Sequence, residues 1–242
     1  MTSTAPTPMA DTNSPQPSVH TTGRQGTLYL ITHALTRQIP DVDAARWQLS
    51  DVGRLQAEKL ARQPFWQSVD RLLLSSEPKT RLTVAPFLQG ATIPVEVDAR
   101  FDELKRTPEW IGDYTARVAE AFRRPRESVA GWEPAADALA RFRAGISDWK
   151  ARHPQETLAL VGHGLTFSLY RAHLLGRSTV ALRDWQRLPF AAVACVENNR
   201  IIQDFAVPPG VPNLPRGEAS GSAETGGSHV HRHESSTKPS PA

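Results

Sequence analysis

Two histidines that could do chemistry occupy matching places in the sequence. His33 follows the apolar run at residues 27–31 with one residue between, and His163 follows the run at 157–161 in the same way. Each would lie at the carboxyl end of a strand, where open α/β sheets build their ligand crevice. A single histidine there more often makes a structural hydrogen bond, but a pair in matching contexts favours a functional site.

The turn around His163 is suited to an anion. Gly162, His163 and Gly164 precede a predicted helix, so the turn places backbone N–H groups and the positive end of the helix dipole beside the imidazole. This setting favours a phosphate or another anion. His153, before a proline, and His173, in mid-helix, lack it and are interpreted as surface or packing residues. A histidine-based metal centre is poorly supported, because no carboxylate stands at a ligand spacing such as His-Glu-x-x-His.

Apolar runs and helical patterns alternate through the middle of the chain. The predicted strands are short, continuous apolar runs at residues 27–31, 71–74, 157–161, 192–196 and 201–206. The predicted helices have apolar residues spaced by three and four at 50–62, 135–149 and 166–175. Continuous apolar runs suit strands that are buried on both faces of a parallel sheet. The alternation indicates an α/β layered domain.

The two ends of the chain differ from the middle in composition. Residues 1–25 and 208–242 are rich in Ser, Thr, Pro, Gly and Ala and have almost no bulky apolar side chains, so we predict disordered tails. Residues 26–207 are enough for one domain, which we expect to keep its stability and activity without the tails. The string His-Val-His-Arg-His at 229–233 could bind a transition-metal ion, although a solvated tail is the simpler interpretation.

The composition argues against several classes of protein. The 242 residues are 39% hydrophobic and 22% charged, and the formal net charge of +3 gives little support to nucleic-acid binding. No apolar stretch approaches the roughly 18 residues that span a bilayer. The first residues have neither a basic start nor an apolar signal core, so we expect no membrane insertion and no secretion. The single cysteine, Cys195, cannot form an intramolecular disulfide, and we expect a cytoplasmic protein.

Five segments in a fixed order resemble motifs of the histidine phosphatase (phosphoglycerate mutase-like) superfamily. They are LYLITHALT at 28–36, WQLSDVGRLQA at 47–57, LSSEPKTRLT at 74–83, FDEL at 101–104 and LVGHG at 160–164. The resemblance implies a three-layer αβα sandwich with a mostly parallel central sheet. It also implies hydrolysis of a small phosphorylated substrate with neither a metal nor another cofactor.

The resemblance also implies a chemical role for several residues. His33 would attack the phosphorus of a phosphomonoester and form a phosphohistidine, which water then cleaves. Glu103, or its neighbour Asp102, would protonate the leaving group and then deprotonate the attacking water. His163 and Lys79 would stabilise the charge on the transferring phosphoryl oxygens.

The chain departs from the family pattern where phosphate is usually bound. The family's Arg-His-Gly triplet is THA at 32–34, its second arginine is Lys79, and its asparagine after the first motif is Ile39. A hydroxyl and an ammonium do not reproduce a planar, bidentate guanidinium. We expect Thr32, Lys79 and Gly164 to contact the substrate in this altered pocket.

Other arginines are candidate replacements for the missing guanidinium. Arg37, Arg81 and Arg100 lie close to the motifs, although each is more typical of a solvated surface charge. A branch of the superfamily with Thr-His openings and a Gly-Trp-Glu triplet, here at 131–133, would normally lack the arginine. We expect the tryptophan of that triplet to be a packing residue and its glutamate to be a charge at a helix start.

Two functions stay open at this stage. The leading one is a phosphomonoesterase, and the alternative is a weak or inactive pseudophosphatase that binds a phosphorylated ligand, which the loss of the family's arginine motivates. The retention of His33, Glu103 and His163 together favours the enzyme. Residues 107–126 are expected to cap the pocket, but they do not define the substrate, and the sequence assigns no oligomeric state.

Overall fold

A six-stranded, mostly parallel sheet forms the centre of the protein. The computed structural model describes Met1 and residues 26–216. The strands are β1 (Leu28–Thr32), β2 (Arg71–Leu74), β3 (Val95–Val97), β4 (Leu158–Gly162), β5 (Val193–Glu197) and β6 (Arg200–Ala206). They lie in the order β3-β2-β4-β1-β5-β6. The pairs from β3 to β1 are parallel, whereas β5 pairs antiparallel with both β1 and β6.

Helices follow the parallel strands and cover the sheet. They are α1 (Asp51–Leu60), α2 (Pro78–Leu88), α3 (Tyr114–Arg123), α4 (Ala135–Arg152), α5 (Gly164–Leu174) and α6 (Leu182–Gln186). Short 3₁₀ turns lie at Ala44–Arg46, Pro64–Ser68 and Ala99–Phe101. The parallel strands require these crossovers, because two parallel neighbours cannot be joined by a tight hairpin.

The two faces of the sheet are buried in separate apolar clusters. Leu30 of β1 points to one face and packs with Phe142 of α4 and Phe167 of α5. Ile31, the next residue, points to the other face and packs with Leu60 of α1. Successive side chains of a strand alternate between faces, so a strand between two helical layers must be apolar throughout. The predicted three-layer αβα sandwich is confirmed.

The register between β1 and β4 brings the two histidine turns together. These strands are parallel neighbours, and Thr32 lies opposite Gly162 at their carboxyl ends. The backbone N–H of His33 continues the pairing and donates to Gly162 O at 2.9 Å. His33 and His163, one residue beyond each strand, therefore leave the same edge of the sheet.

The C-terminal segment, residues 208–216, packs on the domain, which differs from the predicted domain end at 207. Val211 is buried in an apolar cluster. Gln56 Nε2 donates to Pro212 O at 2.9 Å, and the Phe190 N–H donates to Leu214 O at 3.1 Å. Proline-rich composition suggested disorder, but the carbonyls of such a segment can still accept hydrogen bonds from a folded core.

The rest of both predicted tails, residues 2–25 and 217–242, lies outside the described residues, and with it the histidine string at 229–233. Within the described part of the chain, no helix is both long enough and apolar enough to cross a membrane.

Candidate active site

The structure brings the two histidines together at the base of a cavity. The ring centroids of His33 and His163 lie 5.4 Å apart, and both residues are buried. The cavity has a volume of about 350 Å³, and its lining includes both imidazoles together with Glu103 and Lys79. Four of the six predicted site residues therefore share one pocket at the carboxyl edge of the sheet.

His33 is held in a form that can act as a nucleophile. Its Nδ1 lies 2.8 Å from Ala34 O. A carbonyl oxygen only accepts, so Nδ1 carries the proton and the lone pair stays on Nε2. Burial lowers the pKa of His33 well below its ordinary value, and the positive charges of Arg216 and Lys79 lower it further. The imidazole is therefore neutral at neutral pH.

His163 is fixed by one ring nitrogen. Its Nε2 lies 2.6 Å from Ser75 Oγ, and the Glu77 carboxylate lies 3.6 Å from the same nitrogen. The other nitrogen, Nδ1, is buried and has no hydrogen-bond partner within residues 26–216. Burial lowers the pKa of His163 well below its ordinary value. The unpaired Nδ1 is consistent with a ligand atom as its partner.

The Glu103 carboxylate lines the cavity and binds the N-terminus of α5. Its Oε1 accepts the N–H groups of Leu104 at 3.0 Å and Thr166 at 3.1 Å, and its Oε2 accepts the N–H of Leu165 at 3.1 Å. The first amides of α5, which we expected to bind the substrate's anion, are therefore used by the protein's own carboxylate. Oε2 makes the single backbone contact and has the greater capacity for another partner.

Asp102, the rival acid, lies outside the cavity lining. Its carboxylate accepts the Ser76 N–H at 2.6 Å and the Ser76 hydroxyl at 2.7 Å. Adjacent side chains in extended backbone point in opposite directions, so one of the two acids faces the cavity and the other caps a turn. Of these two candidate acids, Glu103 lines the cavity and Asp102 does not.

The loop that carries Glu103 is held by an arginine. Arg141 donates to the backbone oxygens of Asp102 at 2.8 Å and Glu103 at 2.9 Å. Its Nε and Nη2 also bind both carboxylate oxygens of Glu133 at 2.8 Å. Trp132 is fully buried. Trp132 is thus a packing residue and Glu133 positions Arg141, in agreement with the structural roles expected for these two members of the triplet at 131–133.

Lys79 lies in the cavity wall as half of a buried ion pair. Its Nζ donates to Glu77 Oε2 and to Ala44 O, both at 2.7 Å. Burial lowers the pKa of Lys79, and the Glu77 carboxylate opposes that shift. Glu77 also accepts the Glu103 N–H at 2.9 Å, so it links Lys79 to Glu103. Glu77 was not predicted as a site residue, although an acidic residue two positions before Lys79 is a usable signal.

Thr32 is placed differently from the prediction that it contacts the substrate. Its hydroxyl donates to Pro189 O at 2.8 Å and accepts the Ala192 N–H at 2.9 Å. The side chain is fully buried and does not line the cavity. As the last residue of β1, Thr32 ties that strand to the segment that leads into β5.

The candidate replacement arginines do not line the cavity. Arg37 and Arg81 are exposed, and Arg100 forms ion pairs with Asp98 and Asp148. The arginines that do line the cavity, among the described residues, are Arg106 and Arg216. Neither was predicted from the sequence.

Arg106 and Arg216 are held by aromatic side chains. Arg106 Nη1 donates to the Tyr114 hydroxyl at 2.8 Å. The Arg216 guanidinium lies 4.2 Å from the centroid of the Phe190 ring. Burial lowers the pKa of Arg216 to about 10, against the attraction of Glu103, so the group is charged at neutral pH. Both arginines therefore add positive charge to the pocket.

Gly164 has a packing role that the sequence did not indicate. A Cβ atom at this position would lie 2.3 Å from Arg216 Nε and 2.5 Å from Arg216 Cζ. The absence of a side chain therefore lets the guanidinium lie against the backbone directly after His163. Gly164 itself does not line the cavity, which differs from its predicted contact with the substrate.

The outer cavity is formed by two segments that face each other. One wall consists of side chains from residues 35–47, and the other consists of residues 107–115. The rings of Trp47 and Trp110 lie 6.4 Å apart across it. Of the segment at 107–126 that was predicted to cap the pocket, residues 107–115 line the cavity. Phe122, from the same segment, packs in an apolar cluster instead.

No cluster of metal-ligand side chains is present among residues 26–216. No three His, Cys, Asp or Glu side chains in this part of the chain are grouped so that they could hold an ion. The absence of a cofactor stays a prediction.

Solved structures share this fold at low sequence identity. YhfR of Bacillus stearothermophilus is 19% identical with a TM-score of 0.59, and the match covers 74% of this chain and 96% of that chain. A mycobacterial glucosyl-3-phosphoglycerate phosphatase is 20% identical with a TM-score of 0.56, and the match covers 75% of this chain and 98% of that chain. The alpha-ribazole phosphatase of Shigella flexneri is 19% identical with a TM-score of 0.56, and the match covers 75% of this chain and 96% of that chain. No curated protein sequence matches the chain.

A family model identifies the chain more directly than these structures do. The model of the histidine phosphatase superfamily (branch 1) matches residues 28–200, which include His33, Lys79, Glu103 and His163. The match ends before the C-terminal segment that carries Arg216. The matched region is well over half of the sequence, and the protein belongs to the histidine phosphatase superfamily.

Proposed function

We propose that the protein hydrolyses a phosphomonoester in two steps through a phosphohistidine on His33. The observation that carries the proposal is the neutral His33, with its lone pair on Nε2, in a cavity that also contains Glu103, His163 and positively charged side chains. Phosphoryl transfer depends mainly on positioning and on stabilising the charge of the equatorial oxygens. The cavity supplies a nucleophile, an acid and cations in one place.

In the first step, His33 Nε2 attacks the phosphorus and the bond to the ester oxygen breaks. The leaving oxygen takes a proton from Glu103, which must enter this step as the carboxylic acid. The products are an alcohol, a phosphohistidine and the Glu103 carboxylate. The backbone N–H groups of Leu165 and Thr166 then hold that carboxylate in place.

In the second step, the Glu103 carboxylate removes a proton from water as the water oxygen attacks the phosphohistidine. The bond between phosphorus and nitrogen breaks, and its electron pair returns to His33 Nε2. Inorganic phosphate leaves, with Glu103 protonated again and His33 neutral. One difficult displacement is thereby divided into two easier ones.

His163 and Lys79 stabilise the phosphoryl group in this proposal. With Ser75 Oγ donating to His163 Nε2, the proton of the imidazole is on Nδ1, which donates it to a phosphoryl oxygen. Lys79 uses two of its ammonium hydrogens for Glu77 and Ala44 and keeps the third for the substrate. Donors that are fixed before the reaction need no reorganisation in the transition state.

The alternative is a pseudophosphatase that binds a phosphorylated ligand without turnover. Its support is the Lys79–Glu77 ion pair, which neutralises the lysine at the position of the family's second arginine. A panel of alkyl, sugar, nucleoside and amino-acid phosphate esters, assayed by phosphate release with and without a chelator, separates the two functions. Release that persists with the chelator supports the enzyme, whereas saturable binding of the esters without release supports the pseudophosphatase.

Exchanging Glu103 for glutamine should slow poor leaving groups selectively. We expect Glu103→Gln to lower kcat for an alkyl phosphate by about 100-fold or more, and for p-nitrophenyl phosphate by much less, because p-nitrophenolate needs little protonation. His163→Ala should slow both esters alike, since it acts on the phosphoryl oxygens. The measurement is the ratio of kcat values for the two esters in each variant.

Asp102→Asn is the matched control for this experiment, because Asp102 is adjacent in sequence but binds Ser76. It should leave the ratio unchanged. A selective loss with Asp102→Asn and none with Glu103→Gln would reverse the assignment of the acid.

Removing the Thr32 hydroxyl should lower stability rather than activity. Thr32→Val leaves the buried Ala192 N–H without its acceptor, which costs roughly 1–3 kcal/mol of unfolding free energy. Thermal unfolding should show a lower Tm, while kcat/KM at 25 °C stays within about twofold. Thr32→Ser keeps the hydroxyl and should restore the Tm. A loss of kcat/KM in Thr32→Val with an unchanged Tm would place Thr32 in substrate binding.

A further inference from the structure

We propose that Arg216, brought into the cavity by the C-terminal segment, binds the phosphoryl oxygens of the substrate in place of the arginine that the family pattern has at position 32. This inference rests on the proposed hydrolysis. It adds a residue outside the region that the family model matches, which ends at residue 200.

The position of Arg216 suits contact with the transferring group. Its guanidinium lies against Gly164, directly after His163, and Arg216 lines the same cavity as His33. Phe190 lies next to both His33 and Arg216. Its ring centroid is 5.5 Å from the centroid of the His33 ring and 4.2 Å from Arg216 Cζ. The guanidinium and the nucleophile are thus packed on one aromatic side chain.

The residues at the family's two arginine positions, and Arg106, are less able to bind the phosphoryl oxygens in this way. Thr32 faces Pro189 and Ala192. Lys79 is paired with Glu77, and its ammonium is a point charge rather than a planar fork. A guanidinium can bind two phosphoryl oxygens at once, which gives both charge and orientation. Arg106 has that shape but donates to the Tyr114 hydroxyl in the outer cavity.

The C-terminal segment holds Arg216 in place. Val211 is buried, Gln56 binds Pro212 O, and the Phe190 N–H binds Leu214 O. Pro215 forms a β-bridge with Pro189, immediately before Arg216. These contacts fix the backbone up to Pro215, the residue before Arg216. The Arg216 side chain therefore enters the cavity from an anchored position.

Variants of Arg216 measure its contribution to phosphoryl transfer. We expect Arg216→Ala to lower kcat/KM for p-nitrophenyl phosphate by about 100-fold, as the loss of one preorganised donor does in other enzymes. Arg216→Lys should recover a minor part of this loss. Arg187→Ala, which removes an exposed arginine from the end of α6, is the matched control and should stay within about twofold.

Chemical rescue separates direct contact from a structural role. Added guanidinium ion at millimolar concentration should raise kcat/KM of Arg216→Ala in a saturable way, and it should leave Arg187→Ala unchanged. A merely structural Arg216 would show no rescue, since free guanidinium cannot restore the packing of the segment. Circular dichroism of each variant gives the folded fraction to which the rates are normalised.

A double-mutant cycle with Gly164 gives a second test. Gly164→Ala places a Cβ where Arg216 Nε and Cζ now lie, so it should displace the guanidinium and lower kcat/KM. In the Arg216→Ala background, the same change should have little further effect, because residues that share one interaction are not additive.

The outcomes distinguish this inference from the proposed function. Absence of turnover in the wild-type protein would overturn the hydrolysis and this inference with it. Turnover that is unaffected by Arg216→Ala, or reduced without guanidinium rescue and with additive Gly164→Ala, would overturn the role of Arg216 and leave the hydrolysis on His33 intact.

Discussion

His33→Ala should abolish phosphate release, with a loss of about 10⁴-fold or more in kcat, because no other group takes over the attack on phosphorus. The wild-type protein should accumulate a phosphoryl group on His33 when it is mixed rapidly with an excess of substrate and quenched. Phosphorylated imidazole is a phosphoramidate, which survives alkali and hydrolyses in acid. The measurement is retention of label from a radioactive phosphoryl group after alkaline and acidic quenching, followed by mass spectrometry of the peptide.

His173→Ala is the matched control for this experiment. His173 lies in α5, as a partly buried residue outside the cavity lining. Its loss should leave both turnover and the alkali-stable label unchanged. Turnover that survives in His33→Ala, or a label that is lost in alkali and retained in acid, would contradict the phosphohistidine mechanism. Either result would move the covalent step to another nucleophile.

The short motifs predicted those parts of the site that depend on local sequence. His33 and His163 each stand one residue beyond an apolar strand, and the parallel register of β1 and β4 then places them side by side. Glu103 is brought to the same cavity by the FDEL segment, where the alternation of side chains decides between it and Asp102.

Side-chain direction could not be predicted at Thr32 and Lys79. Both positions align with arginines of the family pattern, but a threonine at the end of β1 is short enough to bind Pro189 O within the core. Lys79 finds Glu77 within its own turn, and that contact is an ion pair. A motif gives the position of the Cα atom, whereas the partners of the side chain depend on its length and on its neighbours.

Arg106 and Arg216 could not be predicted for a different reason. Their places in the cavity depend on the path of irregular segments, and no period of apolar residues records such a path. The proline-rich segment before Arg216 was predicted to be disordered because it contributes little apolar surface. Its contacts with Gln56 and Phe190 are made through backbone oxygens, which every residue has.

A chain that ends at Val207 should therefore lose both stability and activity. It lacks the burial of Val211 and the three hydrogen bonds that Gln56, Gln63 and Phe190 donate to backbone oxygens of the segment. We expect Tm to fall by about 5 °C. Loss of the Arg216 guanidinium should lower kcat/KM for p-nitrophenyl phosphate by about 100-fold.

A chain that ends at Ser220 is the control for this truncation, because it keeps Arg216 and every residue that the structure describes. Its Tm and kcat/KM should equal those of the full chain. Comparing Arg216→Ala in the full chain with the chain that ends at Val207 then separates the contribution of the guanidinium from that of the rest of the segment. Equal losses of kcat/KM would show that the segment acts on the chemistry through Arg216, while the fall in Tm should be found in the truncated chain alone. Identical Tm and activity for the two truncated chains would show that the C-terminal segment contributes to neither.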